Sequence, residues 1–178
     1  MARWLGTLRG VIVRQLQASE VDVYRSIRLR ALECDAAAFE SSHEDEASLD
    51  DASWRSRLET FAGRPGAVFV ADVDGHAEGM MGIGQGPMEA QATVWGMWVA
   101  PGFRRRGYGE QLLAAGLSWA RDLGLESISL DVFPANTAAV ALYRAAGFRP
   151  VSADDGSTDP SQALNLLLST DSPQARHD

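Results

Sequence analysis

Met97-Trp-Val-Ala-Pro-Gly-Phe-Arg-Arg-Arg-Gly-Tyr-Gly109 is a passage from a strand into a helix, and its reading decides the fold. An apolar strand end runs into the Pro101-Gly102 break, then into three arginines and two glycines that open a helix. Unpaired N–H donors and the helix dipole make such a start a site for anions, phosphate above all. Gly107 and Gly109 permit conformations and close approaches that a side chain would block.

Reading toward the C-terminus, a helix from Gly107 to about Leu123 carries Gly109, Leu112, Leu113, Gly116, Leu117, Ala120 and Leu123 on one face, and Gly124 stops it. Ser127 to Phe133 is a strand closed by Pro134, and Asn136 caps a helix that ends at Gly147. Strand, turn, helix, strand and helix in succession predict a right-handed parallel crossover with the ligand at the carboxyl ends of the strands. Met97 to Val99 then lie beside Asp131 to Phe133. Asn136, Ala139 or Val140, and Tyr143 share a helix face, so Asn136 and Tyr143 address one ligand. Phe148 to Val151 and Ala163 to Leu168 form two last strands around a polar loop, Ser152 to Ser161.

Toward the N-terminus, Ala92 to Ala100 is nearly continuous in apolar residues, which predicts burial on both faces. Gly82-Ile-Gly84-Gln-Gly86 lacks the G-x-G-x-x-G spacing and a following helix, so it reads as a glycine-rich loop and not a dinucleotide site. Ala67 to Val73 and Ala77 to Ile83 flank Asp74-Gly75-His76, a hairpin signal. Gly10 to Leu16 predicts a first strand. Ser19 then caps a helix to about Leu32, with Val23, Ile27, Ala31 and Cys34 inward and Arg25, Arg28 and Glu33 in solvent. Glu40, Glu44, Asp45, Glu46, Asp50 and Asp51 read as a solvated loop leading into the acidic first turn of a helix near Trp54 to Phe61. The functional alternative is an acidic rim that attracts an amine.

A length of 178 residues, 46% of them hydrophobic, suits one domain, residues 9–169, with a disordered tail at 170–178. No apolar run approaches the roughly 20 residues of a membrane span, and Trp4 to Leu8 is too short for a secretory signal, so a cytoplasmic location is expected. Cys34 is the single cysteine, read as a buried structural thiol, and His43, His76 and His177 match no ligand spacing, so no metal is expected. All sixteen basic residues are arginine, which excludes a Walker A lysine and a lysine Schiff base. A net charge of −8 and a pI near 4.8 argue against nucleic-acid binding and favour cationic partners. Exposed strands and tryptophans are compatible with a homodimer.

Arg104-x-x-Gly107-x-Gly109 resembles the Q/R-x-x-G-x-G/A signature of the GCN5-related N-acetyltransferase family, and Asn136-Thr-Ala-Ala-Val-Ala-Leu-Tyr143-Arg-Ala-Ala-Gly147-Phe148 resembles its N-x-x-A-x-x-L-Y-x-x-x-G-F segment. The resemblance spans about Phe69 to Val151. It implies an α/β fold with a mixed, mostly antiparallel sheet of six to seven strands flanked by about four helices, and acetyl-CoA as cosubstrate. It further implies that Met97, Trp98 and Val99 pair with the pantetheine arm, and that the Val99 N–H polarises the thioester carbonyl. Backbone donors across Arg105, Arg106, Gly107, Tyr108, Gly109 and Glu110 would hold pyrophosphate. Arg104 would add a charge contact, and Asn136, with Ala139, would meet the pantetheine region.

By the same resemblance Tyr143 protonates the departing thiolate and contacts the cofactor, which suits a phenol that is protonated at neutral pH. Leu130-Asp131-Val132 is similar to the Leu-Glu-Val of ribosomal-protein alanine acetyltransferases, making Asp131 the candidate base, with Glu40 or Glu44 as substitutes or through water. The acceptor is expected to be an amine on a small molecule or a peptide N-terminus, met by Phe39, Glu40 and Glu44. A non-catalytic acyl-CoA sensor is the alternative, and neither nucleic acid nor membrane is expected as a partner.

Overall fold

Strands β4 (Arg64–Val73) and β5 (His76–Gln85) form the centre of the molecule, joined by the two-residue turn Asp74-Gly75. Both turn residues have positive φ, +52° and +85°, the conformation that matches hairpin twist and that Asp-Gly adopts readily. A computed structural model describes residues 5–8, 10–61, 63–86, 88–151 and 163–170. In chain order the remaining elements are β1 (Leu5–Leu8), β2 (Val11–Gln15), α1 (Val21–Cys34), α2 (His43–Ala47), α3 (Asp51–Glu59) and β3 (Thr60–Phe61). After the hairpin come β6 (Gln91–Val99), α4 (Tyr108–Asp122), β7 (Ser127–Val132), α5 (Thr137–Ala145), β8 (Arg149–Pro150) and β9 (Leu164–Ser169).

Eight strands pair in the order β1-β2-β4-β5-β6-β7-β9-β8, with β3 pairing to β4 aside from that row. Only β6 and β7 run parallel among them, as a crossover through α4 requires. The mixed, mostly antiparallel sheet expected from the sequence is therefore present, lengthened by β1 and β3. The first hairpin turns at Gly10, φ +85°.

Alternation along β4 divides the core. Ala67, Phe69 and Ala71 face the side packed by α4 and α5, where Met81, Leu112, Leu113, Ile128 and Phe148 are buried. Val68 and Val70 face the side packed by α1 and α3, with Tyr24, Ile27, Trp54 and Leu58. Helices on both faces explain why β4 is buried without a break from Ala67 to Ala71. Among the described residues no helix is long and apolar enough to cross a membrane.

Several local expectations are corrected. Ser19 does not cap α1; Gln17 and Glu20 form a capping box around a short 3-10 turn, with the Gln17 N–H donating to Glu20 at 2.8 Å. The acidic stretch folds into α2 before α3 begins, and the segment ends in β3 rather than in helix. Gly82 and Gly84 lie within β5, not a loop. A Cβ on Gly82 would stand 2.1 Å from the Trp95 ring, and one on Gly84 2.4 Å from Phe61. The glycines make room for the Phe61–Trp95 stack, whose centroids are 4.5 Å apart. Strand β6 is buried at Ala92, Val94 and Trp98 but only half-buried between, because one side opens into a cleft. Leu123 is exposed, since α4 ends one residue earlier. Trp54 and Trp98 are buried and so unavailable to a dimer partner. The expected loop at 152–161 and nearly all of the expected tail lie outside the described residues.

Candidate active site

The parallel pairing of β6 and β7 runs from Gln91–Ser127 to Val94–Leu130 and then stops, although β6 continues to Val99. A bulge is responsible for the departure. Met80 pairs with Trp98 and Gly82 with Trp95, so one residue of β5 faces two of β6, Gly96 and Met97. Gly96 takes φ +63°, which a side chain would resist.

Two cavities meet where the strands part. The larger, about 790 Å³, is walled by Met97 to Val99, the turn from Phe103 to Arg105, the first turn of α4, one face of α5 and Cys34 to Ala38. The smaller, about 310 Å³, is walled by Arg28, Phe39 to Ser41, Phe61, Thr93 to Met97, Asp131 to Phe133 and Tyr143. Ala38, Met97, Phe133, Asn136 and Ala139 line both.

The helix start at the larger cleft is shaped by two different uses of glycine. Gly107 caps α4 at φ +81°, and its carbonyl receives the first helical bond, from Gln111 N at 3.1 Å. The N–H groups of Tyr108, Gly109 and Glu110 precede that bond and have no helical acceptor. At Gly109 the need is space, since a Cβ would lie 3.1 Å from Leu142 of α5. Arg105 holds φ +59° without being glycine, a conformation costing about 1–2 kcal/mol.

The arginines divide. Arg105 lines the larger cleft, while Arg106 stacks over Phe103 at 5.5 Å, outside its lining. Arg104 also lines it, but its donors turn inward: Nε to the Val99 carbonyl at 2.8 Å and Nη2 to Asp35 at 2.5 Å. Asp35 in turn accepts from the Trp98 indole at 2.7 Å. The Ala100 N–H donates to the Glu78 carbonyl at 2.8 Å, so Ala100 faces β5. Strand alternation then turns the N–H groups of Val99 and Met97 the other way, toward the side β7 has left.

Asn136 caps α5, its Oδ1 accepting from Ala139 N at 3.2 Å, which leaves the amide nitrogen as a donor. Tyr143 lies two turns along the same face, 5% exposed, edge-on to Phe148 at 5.7 Å, and on the smaller pocket's side of the junction. Burial pushes its phenol well above the ordinary value, so it stays protonated and keeps its O–H as a donor. Asp131 is exposed, reaches the smaller pocket from β7 and accepts from Asn165 Nδ2 at 2.9 Å. Phe39 and Glu40 line that pocket; Glu44 sits on α2, exposed and outside both linings.

Three residues near the site escaped or contradicted the sequence reading. Cys34 is exposed on the wall of the larger cleft instead of buried. Nothing local in the sequence marks Asp35, whose partners Trp98 and Arg104 lie more than sixty residues away. Arg28 is 7% exposed instead of solvated, its guanidinium clasped by Glu46 at 2.7 Å and stacked on Phe39 at 4.5 Å. The signal for Arg28 was its place between Tyr24 and Leu32, four residues from each on the buried stripe. Burial works to raise the Glu46 carboxyl, but hydrogen bonds from Arg28 and Ser41 and the charges of Arg28 and Arg57 outweigh it and hold it below the usual range.

This architecture is shared with known proteins. The Acetyltransferase (GNAT) family model matches residues 28–148. The mycothiol acetyltransferase of Clavibacter sepedonicus is 30% identical over 146 residues, 82% of this chain and 45% of that protein. The chain therefore spans less than half of that relative's length. The aminoglycoside N(6′)-acetyltransferase type 1 of Salmonella typhimurium is 27% identical over 146 residues, 76% of this chain and 90% of that protein. Among solved structures, a GCN5-related N-acetyltransferase from Kribbella flavida aligns with a TM-score of 0.62 at 26% identity, covering 89% of this chain and 96% of that one. Since the matched span runs from the middle of α1 through the split strands, the helix start and α5, the chain belongs to the GNAT acetyltransferase family.

Proposed function

We propose that the protein transfers an acetyl group from acetyl-CoA to a primary amine of a small molecule or a peptide N-terminus, by direct attack in a ternary complex. The observation that carries this reading is the parting of β6 and β7, which joins an anion-binding helix start to a second, smaller pocket beside a buried phenol. The first-turn N–H groups of α4 hold the pyrophosphate, with Arg105 as counter-charge. The pantetheine arm lies along Met97 to Val99, where outward N–H groups extend the sheet, and the Asn136 amide nitrogen donates to it.

The amine nitrogen attacks the thioester carbonyl from the smaller pocket. Charge collects on the carbonyl oxygen, where the Val99 N–H donates. As the C–S bond breaks, Tyr143 gives its proton to the sulfur, and the amine's proton passes to Asp131 directly or through water. A cytoplasmic location suits a protein drawing on the cell's acyl-CoA.

The test is release of CoA thiol from acetyl-CoA with and without amines: amino acids, polyamines, aminoglycosides and N-terminal peptides. Amine-dependent release is expected. Tight acetyl-CoA binding with no release for any amine would favour a sensor of the cofactor instead.

A further inference from the structure

The Arg28 guanidinium is incompletely used. Its Nε donates to both Glu46 oxygens, at 3.0 and 3.2 Å, and its Nη2 to Glu46 at 2.7 Å and Ser41 at 2.9 Å. Nη1 is buried and has no hydrogen-bond partner among the described residues. The side chain as a whole is only 9% exposed, so two N–H groups of a charged side chain are withheld from water without compensation. Such a group is costly to retain unless something else engages it.

Its surroundings say what that is. Nη1 looks toward Gly96, 3.5 Å from where a Cβ would stand, so the glycine keeps a gap between the guanidinium and the bulged strand. Arg28 and Gly96 are both part of the smaller pocket's wall. The Phe39 ring lies 4.5 Å from the guanidinium carbon and offers it no hydrogen-bond acceptor of its own. Glu46 is shared between Arg28 and Arg57, the latter at 3.1 Å, and Glu40 adds a second carboxylate to the same pocket's wall. Asp131 enters the same pocket from β7, across the split from Gly96. The pocket wall thus combines the Arg28 guanidinium, the carboxylates of Glu40 and Asp131, and the stacked rings of Phe61 and Trp95.

We propose that the Nη1 of Arg28 binds the carboxylate of the acceptor, and that the acceptor is a free α-amino acid with an apolar side chain. The carboxylate seats on Arg28, the amine is directed to Asp131 and the split, and the side chain lies against the aromatic wall. An arginine edge suits a carboxylate because both are planar and the contact is charge-assisted. This refines the acyl-transfer reading above and rests on it for the direction of the amine, but the carboxylate contact has a readout of its own.

The experiment compares matched acceptors: L-leucine and L-phenylalanine, their α-amides, and the amines left when the carboxylate is removed. The acids are expected to exceed both partners at least about tenfold in kcat/KM, in line with a charge-assisted contact. In Arg28→Lys, which keeps the charge but has one nitrogen in place of three, that advantage falls to about threefold or less while the KM for acetyl-CoA holds. Amides equal to acids would overturn the proposal and point to peptide N-termini; so would Arg28→Lys retaining the full preference.

If no amine supports release, the transfer reading fails, and calorimetry with N-acetyl-L-leucine and its methylamide still decides the contact. Tighter binding of the acid by the unmodified protein, lost in Arg28→Lys, supports it; equal binding of the two overturns it even if the variant does not fold.

Discussion

The larger cleft takes much of its wall from one continuous stretch, residues 97–110, whereas the smaller pocket gathers its wall from α1, the segment after it, β3, β6, β7 and α5. The first offers a ligand mostly backbone, in the unpaired N–H groups of a helix start and a strand edge. The second offers side chains of both charges and a set of rings. A backbone site suits a ligand that is always the same, because main-chain donors scarcely vary with sequence. A side-chain site can be rewritten one residue at a time while the sheet stays as it is.

Tyr143 stands at the junction, and its variant is the strongest test of that division. Tyr143→Phe should lower kcat by about 10²–10⁴ while the affinity for acetyl-CoA stays within about twofold, since only the proton donor is lost. Steady-state rates with calorimetry of cofactor binding would read both. Loss of cofactor affinity of the same size would instead make the phenol part of the larger cleft.

Glu46 comes next, because it holds the smaller pocket's charge in place. Glu46→Gln leaves two arginines without their counter-ion and should cost about 3–5 kcal/mol of folding stability at neutral pH, read by denaturant unfolding. The carboxyl is held below its ordinary value in the folded protein. Its contribution is therefore complete above about pH 4.5, the unfolded range, and is lost as pH falls through the lower folded value. Acid should destabilise the parent protein there more than the variant. Equal acid sensitivity would mean that Glu46 is not the group that titrates.

The smallest effect is expected in the larger cleft, from side chains. Arg104→Ala should weaken acetyl-CoA by about tenfold, roughly 1.4 kcal/mol. Asp35→Ala separates two explanations of that loss. If Arg104 acts only as a charge for phosphate, removing a nearby acid should strengthen cofactor binding. If it acts by holding the turn, with Nε on the Val99 carbonyl and Nη2 anchored by Asp35, removing the acid should weaken binding as well. The second result is expected.

The two sites differ in legibility for the same reason they differ in construction. The helix start could be read because Gly107 and Gly109 sit in fixed spacing on one short stretch and the φ of Gly107 is decided locally, even though the space at Gly109 is claimed by Leu142 of α5. Asn136 and Tyr143 could be placed together because helical periodicity relates them. Arg28 shares a helix stripe with Tyr24 and Leu32, but its charge reads as solvated, because the counter-ion that lets it be buried is Glu46, eighteen residues away, which reaches it only when the chain folds back as α2. The glycines of β5 misled for a related reason: locally they suggest a loop, but the rings they admit come from Phe61 and Trp95 on other strands. Ser19 had the right chemistry for a cap, yet the Gln17 and Glu20 pair closes the turn from outside it.

Cys34 carries a practical consequence. The chain has one thiol, and it is exposed on the wall of the larger cleft beside Asp35. Alkylation by a small reagent such as iodoacetamide therefore reports on a single address, and a cofactor seated in that cleft as proposed would shield it. The rate of labelling becomes a footprint of occupancy that needs no turnover, no acceptor and no engineered tag.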